Sequence, residues 1–151
     1  MMLDSQLVPE TIVRPKSFVG LMALYESNFL RLFRLIPEID RLDGCFRSRV
    51  AGACDLFVEI IETSRYTVTL SLTYHLTTDE GLIADPDMTV RVYLDGQQAE
   101  VLAIGEKQRH AALRRLVLQH SEELDRRWRF NVVLNKWLEY LVDEGHLILD
   151  R

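Results

Sequence analysis

The chain is poor in the residues that make chemistry obvious. Only two cysteines, Cys45 and Cys54, occur among 151 residues, too few for a disulfide framework and without metal-ligand spacing. A reducing cytoplasm suits them. If Gly52-Ala53 closes a hairpin, Cys45 faces Ile60 rather than Cys54, so a bridge between the thiols is not expected. The seven glycines (Gly20, Gly44, Gly52, Gly81, Gly96, Gly105 and Gly145) are scattered, mostly where turns belong. No glycine-rich phosphate cradle is present, which excludes nucleotide hydrolysis by a P-loop. A nucleophile elbow, an HExxH helix and paired CxxC motifs are also missing. Nothing in the composition asks for a cofactor.

Long apolar runs are absent too: no stretch approaches the roughly 20 residues that span a bilayer as a helix. Asp4, Pro9, Glu10 and Pro15 stand where a signal peptide has a basic start and an unbroken apolar core. Residues 1–16 therefore read as a flexible N-terminal arm, and residues 17–151 as one domain. Hydrophobic residues make up 48% of the chain and charged residues 27%, enough apolar surface for a folded core. The net charge of −5 argues against a general nucleic-acid binder. Its distribution is uneven. Residues 75–100 carry six acidic side chains against Arg91 alone, whereas residues 106–129 carry seven basic side chains against four acidic ones.

The apolar positions Phe18, Leu21, Met22, Tyr25, Phe29, Leu32, Phe33 and Ile36 recur at spacings of three and four, the mark of an amphipathic helix. Ser17 is its N-cap. Pro37 ends it, because the residue before a proline is pushed out of the α region. Glu26, Arg31 and Arg34 are expected on the water side. A second helix is read over residues 121–144, with Leu124, Trp128, Val132 or Asn131, Leu134 or Asn135, Leu138 and Val142 along one side. Ser121 is its cap and Gly145 its left-handed stop. Residues 106–120 read as either a helix or a sixth strand.

Between the helices the period changes to two. Leu56, Val58 and Ile60 alternate with Asp55, Phe57 and Glu59, and Val68, Leu70, Leu72 and Tyr74 alternate with threonine and serine. A strand with one dry and one wet face belongs to an antiparallel sheet. Asp95-Gly96 is a favoured type I′ pair between two alternating runs. In that register Val90 opposes Val101, Val92 opposes Ala99, and Arg91 opposes Glu100. The fold class is therefore α+β: an antiparallel meander of about five strands with N-terminal and C-terminal helices on one face.

Four blocks of the sequence then resemble a known bacterial family. They are Glu26-Ser27-Asn28-Phe29 with Arg31-Leu32, Arg34-Leu35 and Pro37; Glu62-Thr63-Ser64-Arg65-Tyr66-Thr67; Met88-Thr89-Val90-Arg91 with Tyr93, Asp95 and Ala99-Glu100-Val101; and Asn131, Leu134, Trp137-Leu138 with Gly145. Together they look like the YqiB-like family, a domain of unknown function, over residues 18–145. The resemblance implies relatives and no activity. Asp125-Arg126-Arg127 stands where that family has a different helix start.

Several groups could carry chemistry. Arg65 and Tyr66 lie at the tip between two strands, where a guanidinium beside a ring can hold a carboxylate or phosphate, with Glu62 near enough to orient it. The plainer account is a surface Glu62–Arg65 pair closing the turn. Arg91 joins them as a candidate ligand-binding residue, with Glu100 as its expected partner. His75, Asp79, Glu80, Asp85 and Asp87 lack EF-hand spacing and read as a solvated acidic connection rather than a metal site. The basic stretch 107–129, with Trp128 among Arg126, Arg127 and Arg129, invites nucleic acid, but Glu122, Glu123 and Asp125 partly neutralise it. The leading expectation is a non-catalytic binding or protein-interaction module for an unknown protein or a small anionic ligand. A small enzyme centred on Glu62, Arg65 and Tyr66 is the alternative, and nucleic-acid binding through residues 107–129 is a third.

Overall fold

The computed structural model describes residues 17–79, 81–105 and 123–150. The expected arm at residues 1–16, the ambiguous stretch at 106–120 and the cap Ser121 lie outside the described residues. Helix α1 spans Phe18–Leu35, and strands β1 to β5 follow at Cys45–Ser48, Leu56–Thr63, Thr67–Thr78, Gly81–Tyr93 and Gln98–Ile104. Helix α2 spans Glu123–Asp143. The strands form one antiparallel sheet in sequence order, β1-β2-β3-β4-β5. The α+β meander read from the alternation is what the chain adopts. Among the described residues no helix is long and apolar enough to cross a membrane.

Local signals set the helix ends. Ser17 accepts a hydrogen bond from the Gly20 amide at 3.0 Å, and Ile36 leaves the helical region at φ −129°, ψ 78° ahead of Pro37. At the far end Gly145 takes φ 99°. Its amide donates to the Val142 carbonyl, and the His146 amide donates to the Leu141 carbonyl, the two bonds of a Schellman stop. This turns the chain sharply and delivers His146 beneath the sheet.

The core lies between one face of the sheet and both helices. Leu56, Val58 and Ile60 of β2, Val68, Leu70, Leu72 and Tyr74 of β3, and Met88, Val90 and Val92 of β4 meet Leu32 and Leu35 of α1 and Leu134, Trp137, Leu138 and Leu141 of α2. A smaller cluster joins Leu21, Leu24 and Tyr25 to the partly buried Trp128.

The burial of α1 differs from its apolar stripe. Arg31, expected in water, is 5% exposed and lies 3.8 Å from Glu139 of α2, while Phe18 and Phe33, expected in the core, are 67% and 48% exposed. The reason is that α1 touches two neighbours, the sheet and α2, and the face against α2 mixes polar with apolar side chains. Ser27 and Asn28 are fully buried there.

Three details of the sheet also depart from expectation. Cys45 opposes Glu59, not Ile60. The expected register would place Arg47 opposite Val58 on the dry side, whereas the observed one, a single residue away, places Phe46 there. Both cysteines are free. Second, the acidic stretch after Tyr74 is largely strand, with β3 running to Thr78 and β4 starting at Gly81. The pairing shifts between Thr73 and His75, opposite Asp85 and Pro86, so the proline sits at a bulge, where it breaks no ladder. Third, the β4–β5 register is as read, Arg91 opposite Glu100 included, but the turn is not type I′. Four residues, Leu94–Gln97, make it, and Gln97 rather than Gly96 takes the left-handed conformation, φ 55°.

Candidate functional site

The β2–β3 and β4–β5 turns lie at the same end of the sheet, joined by a hydrogen bond from the Leu94 amide to the Tyr66 carbonyl, 2.8 Å. The face turned away from the helices carries a cross-strand row there: Glu62 opposes Thr69, Thr69 opposes Arg91, and Arg91 opposes Glu100. A bulge between Ile60 and Glu62 is what brings Glu62 into line. Arg91 is half-buried, and its Nε donates to Thr69 Oγ1 at 3.4 Å.

Glu100 does not pair with Arg91 despite the register. Its carboxylate accepts the Tyr93 hydroxyl and reaches around the β5 edge to Arg127 of α2, 3.5 Å away. Burial pushes the Tyr93 hydroxyl pKa up, and the bond to Glu100 and its charge add to this, while Arg91 pulls the other way. Tyr25 of α1 is likewise raised, first by burial, with Arg127 lowering it and Glu100 raising it. The anion expected for Arg91 is thus held elsewhere.

Arg65 and Tyr66 are both exposed at the β2–β3 turn, the guanidinium carbon 5.3 Å from the ring centroid. Glu62 makes no ion pair with Arg65. Ser64 closes the turn instead, its amide donating to the Thr67 carbonyl at 2.9 Å and its hydroxyl bonded to that of Thr67. Glu62 and Arg91 therefore share a row, and Arg65 with Tyr66 stands at the edge of the same end. Of the basic stretch 107–129, residues 107–122 lie outside the described residues. Arg127 is occupied by Glu100, and Trp128 packs on the small helix cluster rather than standing free to stack.

Two buried polar networks carry no obvious sequence signature. In the first, β1 alternates Phe46 and Ser48 toward the core, and Ser48 Oγ sits 2.8 Å from His146 Nδ1. The Leu147 amide also donates to that oxygen at 3.2 Å, and His146 Nε2 lies 2.9 Å from the Tyr74 hydroxyl. Burial lowers the His146 pKa, against the Cys54 carbonyl, Glu144 and Asp55. Burial likewise raises that of Tyr74, reinforced by Tyr140. Both ring nitrogens are committed to hydroxyls, so the arrangement clasps the C-terminal tail to β1 and β3. A serine at an inward position of a short strand was the available clue.

The second network joins the helices to the edge of the sheet. Asn28 Nδ2 donates to Asn131 Oδ1 at 3.1 Å and to the Ala99 carbonyl at 3.4 Å. Asn131 Oδ1 also accepts the Val101 amide at 2.9 Å, and its Nδ2 donates to the Arg127 carbonyl at 2.8 Å. Asn135 Nδ2 donates to Asn28 Oδ1 and Ser27 Oγ at 3.0 and 2.8 Å. Two asparagines thus stand in for a sixth strand beside β5.

Comparison with known proteins gives relatives without an activity. The family model described as "Protein of unknown function (DUF1249)" matches residues 31–147. The "Uncharacterized protein YqiB" of Escherichia coli strain K12 is 31% identical over 134 residues, covering 87% of this chain and 93% of the relative, and the same figures hold for the proteins of that description in strains O6:H1 and O157:H7. No solved structure matches.

Proposed function

This chain belongs to the DUF1249 family of proteins of unknown function, and because that membership carries no chemistry, we propose from geometry that it is a non-catalytic binding module. Its ligand is an anionic group, carboxylate or phosphate, taken up at the hairpin end of the open sheet face by Arg91, with Arg65 and Tyr66 beside it and Glu62 closing the row. The observation that carries this reading is the state of Arg91. Its guanidinium is half-buried and held in place by Thr69, yet no described carboxylate pairs with it, because Glu100 is drawn to Tyr93 and Arg127. A charge removed from water gains most from an ionic partner, and the fork of a guanidinium fits a carboxylate or phosphate.

A non-catalytic role is supported by the nature of the Ser48–His146 pair. The serine oxygen already takes the Leu147 amide, and the imidazole holds Tyr74 as well, so neither is poised for a substrate. The unbridged thiols of Cys45 and Cys54 support a reducing, cytoplasmic setting.

Titration with inorganic phosphate and with succinate, followed by amide NMR, tests the proposal. Shifts should concentrate at Thr69, Arg91 and Tyr66 and vanish in Arg91→Ala, while Arg41→Ala, at an exposed position on another surface, should titrate like the parent. Equal binding by Arg91→Ala, or steady turnover of a bound compound, overturns it.

A further inference from the structure

The two edges of the sheet are treated differently, and the difference exposes a second site. In the β1–β2 pair the Ile60 amide donates to the Gly44 carbonyl, so residues 44, 46 and 48 point their backbone groups toward β2. By the alternation of an antiparallel ladder, the N–H and C=O of Cys45 and Arg47 point outward. β1 is the end of the strand order, and no described side chain caps these groups as Asn28 and Asn131 cap β5.

Beside that edge runs a groove of about 500 Å³, walled by β1 and the following Arg49 and floored by the C-terminal tail, including Leu147, Ile148 and Leu149. Its two sides differ in chemistry. Phe46 and the tail leucines make the side toward the core apolar, and Leu147 is 47% exposed. Arg47 points to the open face, its guanidinium 5.7 Å over the Phe57 ring, and Arg49 follows at the strand end. Asp55 is the one described carboxylate in ion-pair range of either, 3.8 Å from Arg47 and 3.3 Å from Arg49, which leaves the pair with an excess positive charge.

We propose that β1 accepts an extended acidic peptide segment of a partner protein as a sixth strand. Its backbone would pair with the outward groups of Cys45 and Arg47, its acidic side chains would meet Arg47 and Arg49, and its alternate apolar side chains would lie over Leu147 and Phe46. The exposed backbone selects an extended chain, and the arginines select its charge. A second copy of β1 fits less well, since it brings two more arginines to the same edge. This site is at the opposite edge of the sheet from Glu100 and does not depend on the anion site at Arg91.

The probe is an N-acetylated, C-amidated octapeptide alternating valine and glutamate, with a valine–lysine octapeptide as control. The acidic peptide should slow hydrogen exchange of the Cys45 and Arg47 amides and leave Val101 unchanged, and the basic one should bind at least about tenfold more weakly. Arg47→Pro removes one outward N–H without touching the β1–β2 ladder. It should lower the affinity by at least about tenfold, as should Arg47→Glu, which keeps the backbone intact should the proline variant not fold. No protection at millimolar peptide, equal binding of both peptides, or a dimer in sedimentation that Arg47→Glu dissociates would overturn the proposal.

Discussion

The β5 edge and the β1 edge belong to one sheet, yet one is built into the protein and the other is left to its surroundings. At β5 the helices supply amide groups that meet the outward Ala99 carbonyl and Val101 amide, so the middle of that edge is capped by the fold itself. At β1 the strand is only four residues long and is anchored from beneath, through Ser48 to His146, while no described side chain caps its outward groups. Edge strands invite pairing, and proteins block it by cover, by shortness or by charge. This chain uses cover at one edge, and shortness and arginines at the other.

The comparison breaks most readily at the sealed edge. Asn131→Leu leaves the buried Val101 amide and one Asn28 amide hydrogen without an acceptor, and the expected cost is about 2–4 kcal/mol in urea unfolding. Straining the helix stop that delivers the β1 anchor costs less: Gly145→Ala forces an alanine into φ 99°, for about 1–2 kcal/mol. Steric crowding adds little there, because the nearest atoms to the new methyl, those of Val50, are 4.0 Å away. Residues of the open edge should be almost silent in stability, with Arg47→Ala within about 0.5 kcal/mol of the parent.

Acid should act on the β1 anchor and spare the β5 seal. Burial lowers the His146 pKa in the folded state, so the folded protein binds its proton less readily than the unfolded chain. The contribution of neutral His146 is complete above its ordinary value of 6.5 and is lost as pH falls from there through the folded-state value. Denaturant melts between pH 7.5 and 5 should show this decline, and His146→Gln should flatten it.

Local rules made part of this legible in the sequence. Ser17, Pro37 and Gly145 mark the helix ends through backbone geometry alone, and the alternation around Asp95-Gly96 gives the β4–β5 register, Arg91 opposite Glu100 included. The turn type does not follow from that register, because a two-residue and a four-residue loop centred on the same pair give one register. Long-range partnership was hidden. Arg31 looks like a surface residue until α2 is seen to bring Glu139 against it, and Asn28 and Asn131 mark the family resemblance without revealing that they close an edge. Ser48 and His146 lie 98 residues apart, with no periodicity to connect them. For the proposed anion site, the sequence marks Glu62, Arg65, Tyr66 and Arg91 as candidates, but that Glu100 turns from Arg91 to Tyr93 and Arg127 follows only from the packing of α2 against β5.

Amide hydrogen exchange on the unliganded protein tests the difference between the edges most directly. The Val101 amide should be protected nearly to the level of global unfolding and should lose that protection in Asn131→Ala, while the Arg47 amide exchanges at close to its unprotected rate. A fast Val101 amide, or a slow Arg47 amide in the protein alone, would contradict the account.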